Sequence, residues 1–315
     1  VKNEDYYMEG KPYLDEIYYQ VIPDAASRAA AFETGQVDLL PGGSVENFDI
    51  PRLTAMDNVC TTNAGWEFFG PHSWMWMNMH EGPMTDKNLR KAVMHSLDRE
   101  FARDALWNGN GTVAKGPVSS VTRFHEPDTP DISYDPDKAR EYLEQSDYDG
   151  ETLQILPLPY GETWQRWAEA TRQNLAEVGI ESEIVATDVA GWNQRTGDWD
   201  FDLAFTYLYQ YGDPALGVAR TYISSNIAQG SPWNNVSGYV NEEVDNLFAE
   251  AAVQASAEDR QELYTEVKKI IVFGVPVTRM LELQFPTIYR CDLKNPVSTA
   301  IGVNDGMRDA WLDRG

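Results

Sequence analysis

The first fifty or so residues carry too little secondary structure to close a domain, and that constrains the fold more than any other feature. Tyr13 to Ile22 ends in an alternation of β-formers and reads as a strand. Pro23-Asp24 breaks it, and Ala25 to Thr34 places Ala29, Ala30 and Phe32 on a short helix stopped by Gly35. Val37-Asp38-Leu39-Leu40 then resumes a buried strand before the loop at Pro41-Gly42-Gly43. Two strands and one helix cannot readily bury both faces of a sheet. The missing partners must come from the last forty or so residues, from sequence upstream of Val1, or from both. The expected outcome is a discontinuous domain interrupted by a larger insert, with a cleft between the parts.

The insert reads as α/β. Trp74-Met75-Trp76-Met77-Asn78-Met79 is strand-like, with large side chains on both faces. Asp86 is placed to cap a helix over Lys87 to Leu97, in which Leu89, Val93 and Leu97 form an apolar stripe. Asp135-Pro136 starts another helix, with Ala139, Tyr142 and Leu143 on its apolar side. Further on, strands at 152–157, 181–186 and 200–205 alternate with a helix over 164–178 in a β-α-β-like arrangement. A last long helix over 257–271 buries Leu263, Val267, Ile270 and Ile271 before the chain turns back into a strand near Val277. No period of about 20 to 50 residues recurs, which excludes a repeat protein.

A length of 315 residues suits about two domains. The 50 Asp and Glu outweigh 25 Lys and Arg, for a formal charge of -25, and no basic patch offsets it; nucleic acid is excluded as a partner. An acid-rich, Lys-poor surface fits either an ordinary secreted protein or one adapted to a salty medium. No apolar stretch approaches the length of a membrane span, and the Val1-Lys2-Asn3-Glu4-Asp5 start shows no signal core or lipid-anchor Cys. Cys60 and Cys291 lie far apart and read as two buried free thiols, with a disulfide as the alternative.

The common chemistries leave no trace. His72, His80, His95 and His125 form no H-E-x-x-H arrangement, there is no C-x-x-C, and Gly-x-Ser-x-Gly is absent. Gly109-Asn110-Gly111 lacks the spacing and Lys of a phosphate loop. With 50 carboxylates a chance acid–base pair is always available, so neighbouring Asp and Glu residues mean little. We assign no catalytic residue, no metal and no cofactor. The aromatics say more. Trp66, Phe68, Phe69, Trp74 and Trp76 lie close together in sequence, and Tyr207, Tyr209 and Tyr211 recur at period two, which would put them on one strand face. They read either as a buried ladder or as the lining of a ligand cleft, with Gly212-Asp213-Pro214 a loop at its edge.

At these residues the sequence resembles the large extracytoplasmic solute-binding protein family that serves dipeptide, oligopeptide and nickel importers. Gly10-Lys11-Pro12-Tyr13-Leu14-Asp15 is similar to its "GKPYLD" strand entry and Gly35-Gln36-Val37-Asp38 to its "GEVD" turn. Asn78, Pro83, Asp86, Arg90-Lys91-Ala92 and Asp98-Arg99 resemble its "N…P…D…R(K/Q)A…DR" block. Tyr134-Asp135-Pro136, Gly212-Asp213-Pro214, Asn235 to Tyr239, Glu243 to Leu247, and Arg260 with Leu263-Tyr264 and Val275-Pro276 follow in the family's order, although Thr278 stands where a second Pro is common. No single match is specific; their ordered coincidence is.

The resemblance implies an α/β, two-lobed, periplasmic binding protein-like fold of the class II, Venus-flytrap kind, here incomplete at the amino terminus. Residues 1–55 and 276–315 would form one discontinuous lobe and 56–275 the other. It implies an extracytoplasmic protein, periplasmic or lipid-anchored at the outer face of the membrane, that closes on a small solute and hands it to ABC permease membrane subunits without making a covalent bond. In peptide-binding members an Asp three positions before the Asp-Pro pair clamps the peptide ammonium; here that position is Gln210, and Tyr207 matches an aromatic three residues earlier. A neutral amide cannot supply that charge pairing, so an oligopeptide, a saccharide-like solute and a nickel chelate all stay open as ligands. The expected ligand-binding residues are Trp74, Trp76, Asn78, Tyr207, Gln210, Tyr211 and Asp213. The rival classes are a secreted hydrolase using paired carboxylates and a purely structural or chaperone-like secreted protein.

Overall fold

The computed structural model describes residues 1–128 and 131–314. In chain order the strands are β1 (Leu39–Leu40), β2 (Val59–Thr62), β3 (His72–Met77), β4 (Gly111–Val113), β5 (Leu153–Leu156), β6 (Ser182–Ile184), β7 (Leu203–Leu208), β8 (Val277–Leu283), β9 (Thr287–Arg290), β10 (Leu293–Lys294) and β11 (Trp311–Leu312). They fall into two compact units. The first comprises Val1–Phe69 and Gln284–Gly315, and the second Gly70–Leu283. The sequence reading set these boundaries at 55/56 and 275/276. They lie further along because β2 pairs with β9 inside the first unit, while β8 runs to Leu283 inside the sheet of the second.

In the first unit β9 lies between β1 and β2, antiparallel to both. The Ala25–Glu33 helix begins at Asp24, whose carboxylate accepts from the Ser27 N–H at 2.7 Å. It buries Ala29 and Phe32 against Leu40, Leu53 and Ile288. Partner strands for the opening segment do therefore come from the end of the chain. The strand expected at Tyr13 to Ile22 does not form: no described strand pairs with it, and Tyr18, Tyr19 and Val21 are exposed. Alternating β-formers give a strand only where another edge takes up the backbone hydrogen bonds.

Cys60 and Cys291 are not free thiols. They form a disulfide, with Cα atoms 5.1 Å apart across a sequence separation of 231 residues. Register explains it: Cys60 lies opposite Tyr289 on β9, two residues before Cys291, and the Cys291 N–H donates to the Asn58 carbonyl at 3.0 Å. The pairing of two strands created the proximity.

The second unit is built on a six-stranded sheet in the order β4-β8-β3-β7-β5-β6, with β5 parallel to β6 and β7 and the other pairs antiparallel. The Glu162–Val178 helix connects β5 to β6 and ends at Gly179, whose φ of 93° is the left-handed conformation that Gly adopts without strain. The motif residues of the sequence turn out to be scaffold. Asp86 caps the Lys87–Ser96 helix by accepting from the Asn88 and Leu89 N–H groups. Buried Arg90 donates to the carbonyls of Met84, Thr85, Gly274 and Val275, and buried Arg99 to those of Ala114, Ile132 and Arg279. Each guanidinium fork ties together carbonyls from separate segments of the unit, which is a structural reason for Arg at both places.

Candidate functional site

Strand register decides which of the expected site residues can act together. Trp74 lies opposite Thr206, Trp76 opposite Ala204, and Ser73 opposite Tyr207. Residues directly opposite share a face and neighbours in sequence alternate. Trp74 and Trp76 therefore lie on one face of the sheet, and Tyr207 on the other.

On the first face the expected residues are core. Trp76 is fully buried and stacks on Trp192 of the Val189–Asp198 helix, with ring centroids 5.8 Å apart; Trp192 in turn meets Trp233 at 5.3 Å. Trp74 is buried beside His72, at 5.2 Å. Asn78, just beyond β3, donates to the Trp199 carbonyl at 2.8 Å and accepts from the His80 N–H at 3.1 Å. Gln210 is fully buried; its Oε1 accepts from the Ser119 N–H at 2.8 Å and its Nε2 donates to the Pro117 carbonyl at 2.8 Å and to His72 Nδ1 at 2.9 Å. An amide spent in this way on the 117–119 turn and an imidazole has both N–H groups committed, and its complete burial keeps the oxygen from a solute. For Trp74, Trp76, Asn78 and Gln210 the burial reading prevails over the ligand reading.

His72 carries a testable consequence. Burial, reinforced by the Arg279 charge, pushes its imidazole down to about 3, well below the usual histidine range. The unfolded chain therefore takes up the proton first, and stability that is complete above about pH 6.5 is lost as pH falls toward 3. Between pH 6.5 and 4.5 the unfolding free energy of the protein should drop by about 2 kcal/mol more than that of His72→Gln, as read by urea titration at a series of pH values. Parallel profiles for the two proteins would show that His72 does not titrate as a buried neutral base.

On the opposite face an aromatic ladder runs out of the core. Trp164 stacks on Trp167 at 5.5 Å and on Tyr207 at 5.9 Å; Tyr207 meets Tyr160 at 6.5 Å and Tyr209 at 5.7 Å, and Tyr209 meets Tyr211 at 6.0 Å. Both tryptophans are buried, the Tyr207, Tyr209 and Tyr211 rings are partly exposed, and Tyr160 is exposed. Burial raises the phenol pKa of Tyr207 and Tyr209, so both stay neutral. Tyr211 has a φ of 53°, unusual for a bulky residue, and the Arg220 guanidinium lies 5.6 Å from its ring centre. The loop folds back so tightly that a Cβ on Gly217 would stand 2.2 Å from Gln210 Cα. Asp213 caps the following helical turn through the Ala215 N–H at 3.0 Å and pairs with Arg260 at 2.7 Å.

The period-two pattern of the tyrosines thus marks the ladder. Tyr160, Trp164, Tyr209 and Arg220 complete it, and of these only Tyr209 carried a sequence signal. The ladder lies at the carboxyl end of β7, beside the β3/β5 neighbours where the sheet changes from antiparallel to parallel pairing; ligands of α/β sheets bind outside such strand ends. Among the described residues no group of three or more His, Cys, Asp or Glu is arranged to hold a metal ion, and no helix is long and apolar enough to cross a membrane.

The chain's α/β fold is periplasmic-binding-protein-like and matches that of class II solute-binding proteins. Over its full length it superposes on 60% of the peptide-complexed periplasmic binding protein DppA from Helicobacter pylori, with a TM-score of 0.86 at 21% identity. It also superposes on NikZ from Campylobacter jejuni, solved with Ni(L-His), with a TM-score of 0.76 at 18% identity over 87% of this chain and 56% of that one. The model of bacterial extracellular solute-binding proteins, family 5 Middle, matches residues 1–268, and the chain belongs to that family. Heme-binding protein A of Haemophilus influenzae is 25% identical over 281 residues, 86% of this chain and 49% of that protein. The dipeptide-binding protein of Escherichia coli is 23% identical over 273 residues, covering 85% and 50%. The chain spans about half the length of the curated relatives it matches.

Proposed function

We propose that this chain is part of the extracytoplasmic binding protein of a bacterial ABC importer, which captures a small peptide-like solute and passes it to the membrane permease. The family match over residues 1–268 carries this reading; relatives named for binding dipeptides and glutathione support the ligand class. A disulfide suits an oxidising compartment outside the cytoplasm. In this reading the first unit belongs to one lobe and Gly70–Leu283 forms the other. The solute lies against Tyr160, Tyr207, Tyr209 and Tyr211, whose flat faces bind with little loss of side-chain freedom. Because Gln210 replaces a carboxylate, a peptide ammonium would not be neutralised at that position. The exposed rings also favour a ring-bearing solute such as a saccharide as a second reading.

The test is to denature freshly purified full-length protein, identify the released solute by mass spectrometry, and titrate it back by calorimetry. The expected result is a chemically unchanged small organic solute that binds saturably. Tyr209→Ala should weaken its binding about tenfold, roughly 1.4 kcal/mol. Gln210→Ala should leave the affinity of the folded protein within about twofold and instead lower stability by about 2 kcal/mol, because the Ser119 N–H and Pro117 carbonyl lose their partner. Release of no solute together with no saturable binding of peptides or sugars, or chemical turnover of the bound molecule, would sink the proposal.

A further inference from the structure

The face of the six-stranded sheet that carries Trp74 holds more hydrogen-bond donors than the protein itself satisfies. Arg279 on β8 lies opposite Trp74 on β3; it is completely buried, and none of its three guanidinium nitrogens has a hydrogen-bond partner among the described residues. Asp131 stands beside it, but its Oδ1 is 3.9 Å from the guanidinium, beyond hydrogen-bond reach, and its Oδ2 is taken by Arg99 at 2.7 Å. Arg99 gives four hydrogen bonds, to that carboxylate and to three carbonyls. Arg279 gives none among the described residues.

Its surroundings add donors. Among the described residues Trp74 Nε1, the Tyr222 hydroxyl and Lys268 Nζ are buried without hydrogen-bond partners, and both Tyr222 and Lys268 interact electrostatically with Arg279. The Lys268 stem runs directly under Gly116, where a Cβ would stand 2.6 Å from Lys268 Cε. His72 contributes one more. Its Nδ1 accepts the Gln210 amide N–H, so the neutral ring carries its proton on Nε2, which is also buried and unpartnered. Indole and guanidinium nitrogens can only donate. Lys268 can shed its charge, since burial pulls its amine down to about 8, but Arg279 at about 10 stays protonated at neutral pH.

A buried cation with unmet donors calls for an acceptor that carries negative charge. Asp131, whose Oδ1 is also buried without a hydrogen-bond partner among the described residues, is one carboxylate between two guanidinium groups, so a water bridging it to Arg279 would still leave one of the two cations without a counter-charge. We propose that one small inorganic anion, chloride, binds beside Arg279, held by the Arg279 guanidinium with the Trp74 Nε1–H and the Tyr222 hydroxyl. Arg279, Tyr222, Trp74 and Lys268 are each exposed by 1% or less, so a solute-sized anion is shut out. A monoatomic ion has no preferred bond directions and accepts donors arriving from β3, β8 and the Ala219–Tyr222 turn.

Two measurements on the full chain test this. Crystals soaked in sodium bromide should show an anomalous peak beside the Arg279 guanidinium; water alone there, or bromide only at surface positions, overturns the proposal. In solution the thermal midpoint is compared in sodium chloride and sodium gluconate at equal sodium, which keeps screening of the anionic surface the same. Above half-saturation it should rise by about 4 °C per tenfold increase in chloride, and equal midpoints in the two salts overturn the proposal. Arg279→Met should abolish the chloride dependence; if that variant does not fold, the wild-type bromide map and salt comparison decide the matter.

Discussion

Trp76→Ala should lower the unfolding free energy of the Gly70–Leu283 unit by about 4 kcal/mol, equivalent to roughly a 12 °C drop in thermal midpoint for a unit of this size. The indole is fully buried, and its removal opens a void beneath Trp192, which would keep Trp233 as a neighbour but lose its stacked partner. Tight packing around Trp76 leaves the site little room to collapse. The measurement is thermal unfolding by circular dichroism, with solute titration on the folded variant. A variant of unchanged stability that binds solute more weakly would restore Trp76 to the ligand-contacting set.

Removing the disulfide should destabilise the first unit by about 3 kcal/mol, and the size of that effect follows from topology. The 231-residue separation of Cys60 and Cys291 would suggest a larger value. While the second unit stays folded, however, its two chain ends are held together by the Leu283 N–H donating to the Pro71 carbonyl at 2.8 Å. The loop that the disulfide closes when only the first unit unfolds is therefore about 20 residues long, which sets the smaller entropy term. Hydrogen exchange with and without reductant, or in Cys60→Ala/Cys291→Ala, should show the loss concentrated in the β1, β2 and β9 amides. Equal protection in both forms would mean that the sheet holds without its staple.

Much of the architecture was legible because it is local. The Asp86 and Asp135 caps, the Gly179 stop and the apolar stripe of the Lys87–Ser96 helix are written in residues a few positions apart, and each of these elements formed where its pattern placed it. The ordered family motifs were legible too, although the structure gives their Arg90, Arg99 and Asp213 scaffolding roles. Tyr13 to Ile22 shows the limit of pattern: period-two alternation signals only a readiness to pair.

From the amino-acid sequence alone came the α/β class, the interrupted first unit and the family, because propensity, capping and motif order act over short stretches of chain. Only the tertiary structure decided that Trp74 lies across the sheet from Tyr207, that Gln210 is spent on His72, that Cys60 meets Cys291, and that Arg279 is buried without hydrogen-bond partners among the described residues. Those facts depend on strand register, and a register is a relation between segments as much as 231 residues apart that neither segment encodes by itself.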